Sequence, residues 1–141
     1  MFHFISSTIS STHAKKWAII GFWVALIATS ILMFVPGQPP KSTGFMHWDK
    51  IQHASVFMLL IKLAWAAYPH KKTLSAILLV VFGAVIEILQ SALTTTRMGS
   101  TGDWIADIVG LIIGMIICAL LLSNKYFQTN RSNKLVDDAR I

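Results

Sequence analysis

The chain has 141 residues, 55% of them hydrophobic and only 13% charged, with a net charge of +6. A mean hydropathy of +0.64 takes it out of the range of soluble globular domains and into the membrane class. Nucleic acid is excluded as a partner, because the basic residues stand singly or in pairs between long apolar runs and form no stripe.

The first apolar run is "WAIIGFWVALIATSILMFV", Trp17 to Val35, stopped by Pro36, Gly37, Pro39 and Pro40. Its length, and the lack of a small-residue cleavage pattern after it, argue for a membrane helix and against a signal peptide. The second run extends from about Ile51 to Tyr68 and closes at Pro69; the third is Thr73 to Leu93, and the fourth spans about Gly102 to Leu122. Each approaches the roughly 20 residues needed to cross about 30 Å of hydrocarbon. Lipid offers the backbone no hydrogen-bond partner and strand-like alternation is absent, so helices are expected. The expected fold is all-α: an integral membrane bundle of four transmembrane helices over residues 17–122. A Ser/Thr-rich segment, residues 1–16, precedes it, and a polar solvated tail, residues 123–141, follows. Cys118, the only cysteine, lies in the fourth run and reads as a small packing residue.

Lysine and arginine set the orientation. With the N-terminus in the cytoplasm, Lys15, Lys16, Lys71, Lys72, Lys125, Arg131, Lys134 and Arg140 all lie inside, leaving Lys41, Lys50 and Arg97 outside. Both termini are therefore expected in the cytoplasm, with outer loops at about Pro36 to Trp48 and Thr94 to Thr101. Lys62 is expected to snorkel to the inner surface, and the tryptophans near the span ends read as interfacial anchors.

The polar residues inside this frame gather in one leaflet. Asp49 and His53 open the outer end of the second helix, and Asp103 and Asp107 that of the fourth. Glu87 lies about six residues inside the outer end of the third, roughly 9 Å deep at 1.5 Å per residue. Residues four apart share a helix face, so Asp49 joins His53, Asp103 joins Asp107 with Gly110 and Gly114, and Gly83 joins Glu87, Gln90 and Thr94. Gly83, Gly110 and Gly114 are expected to remove side-chain bulk for helix packing, the last two as a GxxxG that lets helix backbones approach closely. An ionised carboxylate facing hydrocarbon costs on the order of 2.5 to 3.5 kcal/mol. Glu87 should therefore face the bundle interior and find a partner, with Arg97 the nearest cation along the chain and Lys50 and protonated His53 as others. The candidate polar site is Asp49, Lys50, His53, Glu87, Gln90, Arg97, Asp103 and Asp107. The competing reading is that these residues merely pair to lock the bundle. HExxH, a cysteine cluster, GxSxG, Walker and dinucleotide motifs are all absent, so no cofactor and no metal are expected; a carboxylate site for a hard divalent ion is the weaker option.

Three stretches, "DKIQHASVF" (Asp49 to Phe57), "GAVIEILQ" (Gly83 to Gln90) and "RMGSTGDWIADIVGLIIG" (Arg97 to Gly114), resemble the ordered motifs of the VanZ-like family of small membrane proteins. Those motifs have roughly the form DKxxHxxxF, then ExxQ, then R followed by DxxxNxxG. The resemblance implies a bacterial cell-envelope setting and a link to glycopeptide (teicoplanin) resistance. One residue departs from the pattern: Asp107 stands where the family usually has asparagine, which adds charge repulsion with Asp103 and Glu87 unless it is protonated or paired.

Three functions compete. In the first, the site binds a membrane lipid headgroup or a lipid-linked cell-wall intermediate, with Arg97 and Lys50 on phosphate. The second is an enzyme that hydrolyses or transfers a lipid-linked group, with His53 as acid or base oriented by Asp49, Glu87 as proton carrier and Arg97 stabilising negative charge; no nucleophile is identifiable. A structural or partner-docking protein is the third.

Overall fold

The computed structural model describes residues 2–34, 48–93 and 100–138, which form four helices and no strand. They are α1 (Phe2–Phe34), α2 (Trp48–Ala67), α3 (Lys72–Leu93) and α4 (Thr101–Asp138). The expected all-α class holds, and the bounds of α2 and α3 fall close to the apolar runs. Two ends differ. α1 begins at Phe2 rather than at Trp17, and α4 continues through the expected tail to Asp138. Neither extension contains a glycine or a proline, so nothing in the chain stops the helix once the apolar segment has nucleated it.

Among the described residues, three stretches are long and apolar enough to cross a membrane: His13–Phe34, Lys72–Leu93 and Thr101–Ser132. α2, expected as the second span, is long enough but not apolar enough to qualify, because Asp49, Lys50, Gln52, His53 and Lys62 dilute its hydropathy. It is instead the centre of the bundle. α2 packs against all three other helices, most extensively against α4, whereas α1 touches α3 lightly and does not meet α4 among the described residues. Its inward face, His53, Phe57, Leu60, Ile61, Ala64 and Ala67, is buried.

Glycine sets the closest of these contacts. A Cβ on Gly110 would overlap the Ala54 carbonyl oxygen and lie 2.8 Å from the Ala54 Cα; one on Gly114 would overlap Ile61 and lie 2.9 Å from the Met58 carbonyl oxygen. The GxxxG of α4 thus rides directly on the backbone of α2, as small residues allow. Gly83 works differently, because its neighbours are side chains: Asp107 Oδ2 at 2.8 Å and the Phe57 ring at 3.2 Å.

Exposure is inverted relative to a soluble protein. Ile88 is 67% exposed while the adjacent Glu87 is 7% exposed, and Ile105 is 57% exposed beside Asp107 two positions on at 1%. Apolar side chains face outward and carboxylates face inward, the arrangement lipid favours.

Candidate functional site

Successive helices run in alternate directions, so the C-terminal ends of α1 and α3 lie with the N-terminal ends of α2 and α4. Each contributes polar groups there. At the end of α3, Gln90 donates from Nε2 to the Met33 carbonyl of α1 at 2.6 Å, tying α3 to α1. At the start of α4, Ser100 caps the helix: its carbonyl accepts the Asp103 N–H at 2.8 Å and its Oγ accepts the Gly102 N–H at 3.1 Å.

That cap has a consequence for the site. In a capping box the acidic residue three places into the helix reaches back to the N–H of the cap residue. Here Glu87 takes that role from α3, its Oε2 accepting the Ser100 N–H at 2.7 Å. Asp103 is thereby released to face α2, where Lys50 Nζ donates to its Oδ1 at 2.9 Å.

Deeper by one turn lies His53, 3% exposed. Its Nδ1–H donates to Asp107 Oδ1 at 2.9 Å, and Glu87 Oε1 stands 3.8 Å from the same nitrogen. The repulsion expected of Asp107 is therefore answered by a histidine partner. Asp107 Oδ2 fits into the space left by the missing side chain of Gly83. Among the described residues, Glu87 Oε1 and Asp107 Oδ2 are both buried without a hydrogen-bond partner. Such groups are costly away from water, about 1 to 3 kcal/mol each and more when charged. Two clefts reach this core. One, of about 460 Å³, is lined by Glu87, Ser91, Ser100, Thr101 and Trp104; the other, of about 450 Å³, is lined by Thr29, Met33, Asp49, Gln52, His53 and Ser55.

Of the eight candidate residues, Asp49, Lys50, His53, Glu87, Gln90, Asp103 and Asp107 come together at this end, with Gln90 serving as the strut to α1 and Asp49 at the exposed rim. Arg97 lies outside the described residues, as does Thr94. The partner of Glu87 among the described residues is the Ser100 amide, with His53 nearby, and the carboxylate hydrogen-bonded to His53 Nδ1 is Asp107, where sequence spacing pointed to Asp49. Sequence reasoning missed Ser100; its signal was the Ser-x-x-Asp spacing at the start of α4.

An all-helical chain with three membrane-length apolar helices and carboxylates turned inward is a membrane protein. The chain belongs to the family described as VanZ/LLP1, which it matches over residues 1–122. That match begins at residue 1 and so takes in α1, which the three motifs do not reach. Neither the comparison with curated proteins nor that with solved structures gives a match.

Proposed function

We propose that this protein of the VanZ/LLP1 family crosses the bacterial cytoplasmic membrane four times, with both termini inside, and binds at its outer face the headgroup of a membrane lipid or of a lipid-linked cell-wall intermediate. The observation that carries this reading is the meeting of Lys50, His53, Glu87, Asp103 and Asp107, from three helices, at one end of the bundle, with two carboxylate oxygens lacking a hydrogen bond among the described residues. α2 serves as the fourth span because its 20 residues suffice in length and His53 turns inward against the other helices, while Asp49, Lys50 and Gln52 stay at its outer end. The lysine and arginine bias gives the orientation.

The headgroup is amphoteric in this reading. Phosphate is met by Lys50, and by Arg97 from the segment between α3 and α4; hydroxyl or amine donors are met by the carboxylates. Short-chain phospholipids differing only in headgroup, added to detergent-purified protein, should raise its thermal stability selectively, and Lys50→Ala should lose the selectivity. Equal stabilisation by every headgroup would refute binding at this site. The family link nominates glycopeptide (teicoplanin) susceptibility as the cellular phenotype, measured with and without the chain.

The His53–Asp107 pair favours a second reading, acid–base chemistry on a lipid-linked group, with Asp107 rather than Asp49 orienting the imidazole. Release of a soluble headgroup from labelled lipid by the wild type, and not by His53→Gln, distinguishes turnover from binding.

A further inference from the structure

Three donors meet at the core of the bundle, one from each of three helices. His53 from α2, Glu87 from α3 and Asp107 from α4 place a ring nitrogen and two carboxylate oxygens within 4.8 Å of one another, all buried. We infer that this triad is a binding site for one divalent first-row cation, of the zinc or manganese class, held within the membrane-embedded bundle.

The geometry is close to what such an ion needs. Ligand atoms at about 2.0 to 2.2 Å from a tetrahedral ion stand roughly 3.3 to 3.6 Å apart. Around His53 Nδ1 the observed separations are 2.9 Å to Asp107 Oδ1 and 3.8 Å to Glu87 Oε1, which bracket that range. An independent sign is a pair of oxygens that no hydrogen bond among the described residues satisfies: Glu87 Oε1, which faces His53, and Asp107 Oδ2, which is buried over Gly83. A proton on Nδ1 answers one carboxylate oxygen; a dication in its place answers both carboxylates at once.

Charge points the same way. Among the described residues the cluster sets four carboxylates, Asp49, Glu87, Asp103 and Asp107, against Lys50 and His53, and Lys50 pairs with Asp103 at the outer rim, away from the buried carboxylates. Two buried carboxylates beside one imidazole hold an excess of negative charge that low dielectric makes expensive, and a divalent ion neutralises it. The mixed nitrogen and oxygen donors select the class: imidazole suits zinc and its neighbours, whereas magnesium and calcium favour oxygen alone. Asp49, His53 and Asp103 form a second group that shares the histidine, but Asp49 is exposed and Asp103 is engaged by Lys50, so the buried triad is the stronger claimant. No sequence motif announces the site, because its donors lie on three separate helices. The cleft at Glu87 and the cleft at His53 give the ion a route in and leave room for a further ligand.

Occupancy displaces the Nδ1 proton to solvent, so uptake releases protons and weakens as pH falls. Full-length protein, purified without a polyhistidine tag, stripped with chelator and titrated separately with zinc and manganese, should take up one equivalent per chain of at least one of them by elemental analysis, with an upward shift of its unfolding temperature. Glu87→Gln and Asp107→Asn, which keep shape and hydrogen-bonding capacity, should each weaken uptake by about tenfold or more, while Asp49→Asn should not. Wild type that takes up neither ion overturns the inference, as does uptake unchanged in both triad variants or lost in Asp49→Asn. Headgroup selectivity measured on the same samples is a separate outcome: its loss with the ion retained sinks headgroup binding and leaves the metal site standing.

Discussion

The two ends of the bundle treat their polar groups in opposite ways. At the α2–α3 turn every polar handle of an aromatic ring has its partner: Trp65 Nε1 donates to the Lys72 carbonyl at 3.2 Å, the Lys72 ammonium lies 5.2 Å over the Trp65 ring, and Trp23 Nε1 donates to the Tyr68 hydroxyl at 3.0 Å. Phe22 packs edge-on against Tyr68 beside them. This end is a finished structural joint of aromatic rings, of the kind found at a membrane surface. The other end holds the acidic pairs and, among the described residues, leaves two carboxylate oxygens without a hydrogen bond. On the proposed reading, the second end is the one that binds.

Between the ends lies the contact on which both depend, and it gives the largest expected effect. Gly110→Leu drives a side chain into the Ala54 carbonyl of α2, where backbone cannot yield cheaply, and should cost about 3 kcal/mol or more. The amount of protein in the membrane fraction and its resistance to thermal aggregation should both collapse.

Asp107→Ala comes next. It leaves His53 buried without its hydrogen-bond acceptor, and breaking such a pair from one side costs roughly 3 kcal/mol. Asp107→Asn should stay near wild-type stability, since an amide oxygen still accepts the Nδ1–H, so a comparison of their unfolding temperatures separates charge from shape. Gly83→Ala should cost less, about 1 to 2 kcal/mol, because the new methyl must displace Asp107 Oδ2 and the Phe57 ring. Its signature is loss of headgroup selectivity out of proportion to the fall in unfolding temperature.

Trp23→Phe and Lys50→Met are the smallest in stability and the sharpest as a contrast. Each removes an interaction open to solvent or lipid headgroups, the Lys50 side chain being 44% exposed, and each should change stability by about 1 kcal/mol or less. Only Lys50→Met should alter headgroup response. Equal loss in both would erase the distinction between the two ends.

How far the sequence reached can be traced residue by residue. Helix faces were legible: offsets of four put Asp103 with Asp107 and Gly110 with Gly114, and alternation of direction put Lys50, His53, Glu87 and Asp103 at one end. Rotation of one helix against another was not legible, because it is fixed by contacts such as Gly110 on Ala54. For that reason the partner of His53 is Asp107 on α4 rather than Asp49 on its own helix, and the bulk missing at Gly83 makes room for the Asp107 carboxylate. The extent of α1 and α4 escaped too, since a hydropathy pattern marks where a helix leaves apolar surroundings and not where it stops.

The central claim is that the incomplete polar end exists to hold a lipid headgroup. Lipid that co-purifies with the wild type and with Glu87→Gln, in matched detergent, identified by mass spectrometry, tests it most directly. One headgroup class should be enriched over the bulk membrane in the wild type and return to bulk proportions in Glu87→Gln at equal yield of folded protein. Bulk proportions in both would contradict the account.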